Sequence, residues 1–256
     1  GIDKLRINPG NIGDVSRVQE VVKMAKERKI PIRIGVNAGS LEKELLSKYN
    51  GVTAEALVES ATRHIEILHE QDFYDIVVSM KASNVPLCTS AYTLFSQKYD
   101  YPVHVGITEA GTRYIGTIKS AVGLSAILSR GIGDTIRVSL TTNPVEEIQC
   151  AKAILQSLGL RKFGVEIISC PTCGRTKIDL IHLAEEVERR TAHIKKHMTI
   201  AVMGCAVNGP GEAREADIGI AGGNGVGLIF QKGQIIKKVK EEELLDTLME
   251  YIEKTI

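Results

Sequence analysis

The sequence has no surplus of either charge: 32 basic residues stand against 31 acidic ones, for a net charge of +1. Nucleic-acid binding needs a basic excess gathered on one face, so no nucleic-acid partner is expected. Long apolar runs are also missing. The longest are strand-sized and too short to cross a bilayer, so no membrane partner is expected either. No signal peptide is visible, although the chain opens on Gly1 and not on Met, so a leader or more could have been removed. The cysteines do not come in an even number. There are five, and a secreted chain of this size rarely leaves a thiol unpaired. A reducing compartment with a metal or redox site fits better. What is present is a soluble globular composition, 43% hydrophobic and 25% charged over 256 residues, enough for one large domain or two ordinary ones.

Short runs rich in Val and Ile recur at Leu5–Asn8, 32–37, 75–81, 103–108 and 135–140, as buried parallel strands do. Helical patterns lie between them. Val15, Val18, Val21, Val22 and Ala25 share one face, as do Ala54, Leu57, Val58, Ala61, Ile65 and Leu68. Ile115, Ile118, Val122 and, a turn later, Leu128 form another, and Pro144 opens a helix to about Ser157. This β–α rhythm predicts an α/β fold with a parallel sheet. A doubly wound sheet and part of a TIM barrel fit the pattern equally well; five units do not close a barrel of eight.

Near residue 158 the pattern changes, which divides the chain into 1–158 and 159–256. In the second part, 163–169 and 198–203 read as strands running into Cys170 and Cys205, with a helix over 178–196. Ile218–Ala221 and 226–230 read as a strand pair turned by Gly222-Gly223-Asn224-Gly225. Leu244, Leu245, Leu248, Met249 and Ile252 line a last helix.

Two constellations carry chemistry. Cys170, Cys173 and Cys205 sit at the ends of two expected strands, among Pro171, Gly174, Gly204, Gly209, Pro210 and Gly211. Adjacent strand ends would bring the three thiolates to one point, and small neighbours let backbone N–H groups approach a cluster's sulfur atoms. An iron–sulfur centre is the reading preferred here. Structural zinc usually wants four Cys or His ligands, and His182, His193 and His197 read as solvated. A dithiol oxidoreductase would leave Cys205 unexplained. Cys88 and Cys150 read as buried small hydrophobes. In the first part, Arg6, Arg33 and Lys81 lie in or at expected strands, with Asn8, Asn37 and Ser139 near the strand ends. Converging cations suit a diphosphate. The plainer reading pairs each cation with a nearby carboxylate. Glu109, among them, could pair with a cation or handle a proton. His64, His69 and His104 read as core or surface.

These segments together resemble one family, 4-hydroxy-3-methylbut-2-en-1-yl diphosphate synthase. The matching stretches are Leu5-Arg6-Ile7-Asn8-Pro9-Gly10-Asn11-Ile12-Gly13, Arg33-Ile34-Gly35-Val36-Asn37, Ser79-Met80-Lys81-Ala82-Ser83 and Gly106-Ile107-Thr108-Glu109-Ala110-Gly111. The others are Cys170-Pro171-Thr172-Cys173-Gly174-Arg175 and, most specific, Gly204-Cys205-Ala206-Val207-Asn208-Gly209-Pro210-Gly211-Glu212. The resemblance implies a TIM barrel followed by a small α/β domain, akin to the repeats of sulfite and nitrite reductases, that carries a [4Fe–4S] cluster. Its ligands would be Cys170, Cys173, Cys205 and Glu212, with Asn208 facing the cluster. The substrate's diphosphate would meet Arg6, Asn8, Arg33, Asn37, Lys81 and Ser139, and Glu109 and Glu212 would be the catalytic carboxylates. The implied reaction opens the ring of 2-C-methyl-D-erythritol 2,4-cyclodiphosphate and removes its C3 oxygen with two electrons from flavodoxin or ferredoxin. The family also implies a homodimer in a bacterial cytoplasm, or a plastid. The family's barrel has strands ahead of Leu5–Asn8, so the five units here correspond to strands four to eight.

Overall fold

A computed structural model describes residues 1–206 and 209–255, without the side chains of Pro210 and Glu212. The chain divides into two compact units, Gly1–Leu160 and Arg161–Ile256.

In the first unit, β1 (Leu5–Ile7), β2 (Ile32–Asn37) and β3 (Ile76–Lys81) form a parallel sheet in that order. A second parallel pair, β4 (His104–Val105) and β5 (Thr135–Ile136), joins it through an isolated bridge between Val78 and Val103. The described strands do not close into a barrel. The ladders of β4 and β5 are shorter than the apolar runs that contain them. Helices Val15–Arg28, Ala54–His69, Val85–Lys98, Arg113–Leu128 and Pro144–Ser157 follow the strands in turn. Side chains alternate across a strand. Ile32, Ile34 and Val36 of β2, and Ile76, Val78 and Met80 of β3, are buried in the core with Leu57, Ile65 and Leu68 of the Ala54–His69 helix. Arg33 and Asn37 of β2, and Lys81 of β3, alternate with those core residues and are only half-buried.

Two helices depart from the pattern read in the sequence. Val85–Lys98 is not among the helices read above, although the residues it buries, Cys88, Ala91, Tyr92 and Phe95, stand at helical spacing in the sequence. Its start is set by Asn84, whose side chain accepts the Leu87 N–H, and by Pro86 in the first turn. In Arg113–Leu128 the expected inner face is turned outward: Ile115, Ile118 and Val122 are 55%, 45% and 57% exposed, and of that set only Leu128 is buried. The helix instead buries Gly116, Ser120, Gly123, Leu124 and Ile127. A Cβ on Gly123 would lie 2.5 Å from Ile107, so a small residue sets how closely the helix meets the segment after β4.

The second unit is a five-stranded sheet in the order β10-β9-β8-β7-β6. β6 (Val165–Ser169), β7 (Met198–Met203) and β8 (Ile218–Ala221) are parallel. β9 (Val226–Gln231) and β10 (Gln234–Lys240) complete it antiparallel. Helices Leu180–Thr191 and Leu244–Glu253 pack Val187, Leu244, Leu248 and Ile252 against Ile200, Val202, Ile220 and Ile229. β10 is not evident in the sequence, because Lys237, Lys238 and Lys240 give it a polar look. Lysines of this kind are a common way to protect an exposed sheet edge. The turn before it has Lys232 and Gly233 at φ +45° and +76°, the left-handed pair of a two-residue hairpin. No helix among the described residues is long and apolar enough to cross a membrane.

Candidate functional site

The polar face of the first unit gathers cations. Arg6 and Arg33 are register partners on β1 and β2, and Asn37 and Lys81 are partners on β2 and β3. Arg137, which the sequence reading did not single out, joins them. Its charge, with those of Arg33 and Arg6, bears on Lys81. The available signal was its place two residues before Ser139 in the expected strand 135–140, where both would share a face. Arg137 Nη2 lies 3.5 Å from Ser139 Oγ. None of these four cations has a carboxylate ion-pair partner among the described residues. Uncompensated like charges on one face are costly, and a polyvalent anion would supply the missing charge.

The electrostatics record that cost. Burial, then the charges of Arg137, Arg33 and Arg6, bring the Lys81 ammonium down from 10.5 to about 7. Arg33 is lowered by burial and by Arg6, and its buried Nε has no hydrogen-bond partner among the described residues. Beneath them is His104 on β4, buried, its Nδ1 2.8 Å from Thr135 Oγ1. Burial, then the charges of Lys81, Arg33, Lys4 and Arg137, bring its pKa down to about 3, so the imidazole is neutral near pH 7.

The expected polar ligands sit at the rim. Asn8 Oδ1 accepts the Gly10 N–H, and its Nδ2 donates to Ser40 Oγ at 3.0 Å. Ser40, also missing from the sequence reading, thus ties the turn after β1 to the turn after β2. Asn37 Oδ1 accepts the Gly39 N–H at 3.4 Å. Glu109 is exposed and has φ +51°, a left-handed conformation that a side chain seldom adopts. Strain of this kind concentrates at functional positions. Its carboxylate comes close to Gly39, where an added Cβ would lie 3.8 Å from Oε1. Cys88 is fully buried, and its thiol is pushed up to about 11 by burial, as a core residue's should be.

In the second unit, parallel pairing of Ser169 with Val202 sets the ends of β6 and β7 side by side. Cys170 follows β6, and Cys205 follows β7 and Gly204. The Gly204 N–H donates to Cys170 Sγ at 3.3 Å, and its carbonyl accepts the Lys177 N–H at 3.1 Å. The intervening turn closes on itself: Cys173 N–H donates to Thr176 Oγ1, and Thr176 N–H to the Cys173 carbonyl. Hydrogen bonds with Arg175, backbone first, lower the exposed Cys173 thiol. Cys205 lines a surface cavity of about 310 Å³ with Gly174, Arg175, Lys177 and Gly222. Thiols at two adjacent strand ends, one already receiving an N–H, fit the ligand set of an iron–sulfur cluster. Among the described residues no three Cys, His, Asp or Glu side chains are gathered closely enough to hold a metal ion. The Glu212 side chain and Asn208 lie outside the described residues.

Comparison with known proteins covers both units. The GcpE TIM-barrel domain matches residues 1–152, and the GcpE protein C-terminal domain matches residues 166–254. Three bacterial relatives are each named 4-hydroxy-3-methylbut-2-en-1-yl diphosphate synthase (flavodoxin). That of Caldanaerobacter subterraneus subsp. tengcongensis is 65% identical over 256 residues, all of this chain and 72% of the relative. That of Clostridium perfringens is 63% identical over 253 residues, 99% of this chain and 72% of the relative. That of Geobacter sulfurreducens is 60% identical over 256 residues, again all of this chain and 72% of the relative.

Proposed function

The chain belongs to the GcpE family, and from that premise we propose that it is a 4-hydroxy-3-methylbut-2-en-1-yl diphosphate synthase. The observation that carries the reading is identity of 60–65% to synthases of that name over essentially the whole chain. The reaction is the reductive ring opening of 2-C-methyl-D-erythritol 2,4-cyclodiphosphate, with loss of its C3 oxygen, on a route to isoprenoid precursors. Reduced flavodoxin is the electron donor named for the relatives; ferredoxin is the alternative carrier.

The finer assignments belong to the same proposal. Residues 1–158 form the substrate half, the last five β/α units of a TIM-type barrel. Residues 159–256 form the cluster half, akin to a sulfite or nitrite reductase repeat. Cys170, Cys173, Cys205 and Glu212 would hold a [4Fe–4S] cluster, which when bound would pass the donor's electrons to the substrate. Arg6, Arg33 and Lys81, with Arg137 added from the cation face, neutralise the diphosphate. Asn8, Asn37 and Ser139 orient it by hydrogen bonds. Glu109 is poised to handle a proton, which expulsion of the ring oxygen requires. A homodimer in a bacterial cytoplasm completes the reading.

The test is turnover of the cyclodiphosphate by the anaerobically reconstituted chain with chemically reduced flavodoxin. Product formation is expected, and Cys205→Ser should abolish it. A fully loaded chain that binds the cyclodiphosphate but releases no product would contradict the proposal.

A further inference from the structure

Gly35 lies within β2, paired with Ser79 of β3 and one residue past the last rung to β1, Ile7 with Ile34. It is not among the residues with positive φ, so its backbone does not call for glycine. A glycine weakens a strand, and one that the backbone does not need often marks a close approach by something else. Here the visitor is a side chain. Arg6 starts opposite Arg33 and leans along the sheet, so that its guanidinium lies over Gly35 and Nη2 donates to the Gly35 carbonyl at 2.8 Å. A Cβ on Gly35 would sit 2.0 Å from Arg6 Nε and 2.9 Å from both Cδ and Cζ. The nearest atoms such a Cβ would meet all belong to Arg6. The present pose of Arg6 cannot accept alanine there.

We propose that Gly35 is a positioning residue for the diphosphate, acting through Arg6. Its missing side chain is the slot in which the guanidinium lies, and its carbonyl is the anchor that turns the remaining N–H groups toward the anion. Arg6 has five N–H donors in a fixed fork, so its orientation decides whether it can grip a phosphoryl group with two of them. Evicted from the slot, it keeps its charge and loses its aim. The inference rests on reading the cation face as the diphosphate site.

The test is a double-variant cycle read by inorganic pyrophosphate binding to the full chain in calorimetry, with circular dichroism as the check on folding. Arg6→Ala is expected to weaken binding about tenfold, the scale of one charged hydrogen-bonding partner. Gly35→Ala should weaken it by a similar factor, and the double variant should be no weaker than Arg6→Ala alone. Equal affinity for Gly35→Ala and wild type, with Arg6→Ala impaired, would overturn the inference and leave the cation site standing. A Gly35→Ala effect that persists undiminished in the Arg6→Ala background would overturn it as well, because Gly35 would then act on the sheet. No loss with Arg6→Ala would remove both the inference and the reading it rests on. Should Gly35→Ala alone fail to fold, the double variant decides: folding once the slot is vacated supports the clash, and failure contradicts it.

Discussion

Lys81 shows how a residue can be costly to the fold and useful to the site. Its ammonium, brought from 10.5 to about 7, is held less well by the folded chain than by the unfolded one. Below about pH 7 both states carry the proton, and the penalty stands in full. As pH rises from about 7 toward 10.5, the unfolded chain holds a proton that the folded chain has lost, so stability rises. The penalty is on the order of a few kcal/mol, discounted for the solvent that still screens a half-buried group. A bound anion reverses the preference. Pyrophosphate binding near pH 8 should therefore take up protons, measurable as a buffer-dependent calorimetric heat. Lys81→Met should lose that uptake and weaken binding at least about tenfold, while raising the melting temperature of the ligand-free chain. A lower melting temperature would mean that Lys81 serves the fold. The candidate cations Arg6, Arg33 and Lys81 were visible in the sequence because charges are rare in apolar strands. Arg137 was passed over although it lies in the same kind of run. Ser40 had no signal, since a serine in a turn is unremarkable until its hydrogen bond to Asn8 is seen.

At the scale of elements, legibility followed the strength of the period. The apolar runs over β2 and β7 match the observed ladders, because each strand has a parallel neighbour on either side. β4 and β5 pair over only two residues each, and no feature of their side chains announces that. The helix Arg113–Leu128 misled the reading for a physical reason. Its apolar stripe at Ile115, Ile118 and Val122 is real, but the helix packs by its small residues, which a search for apolar faces ignores. Substitution should reverse the intuitive order of importance. Gly123→Val forces methyl groups into Ile107 and should cost about 2 kcal/mol or more. Ile118→Ala, on the exposed side, should stay within about 0.5 kcal/mol of wild type. Urea midpoints measure both, and a larger loss for Ile118→Ala would contradict the packing described.

At the scale of the molecule, two units with separate cores carry two different chemistries: a cation face in Gly1–Leu160, and thiols at strand ends in Arg161–Ile256. The family resemblance was legible because both units bear motifs dense in residues that ordinary packing does not require, such as Gly204-Cys205 and Arg33-Ile34-Gly35. Barrel closure was not legible, because five β/α units cannot distinguish an open sheet from part of a barrel. The expected meeting of three thiolates at one point is not matched among the described residues, where no three such ligands are gathered closely enough to hold a metal ion: strand ends can be placed from sequence, but the turn carrying Cys173 cannot. The most direct test of the central claim is iron and acid-labile sulfide per chain after anaerobic reconstitution, with the visible spectrum. A reductive enzyme predicts about four of each, lost on Cys205→Ser. Stoichiometric zinc without sulfide would contradict it and leave the thiols a structural site.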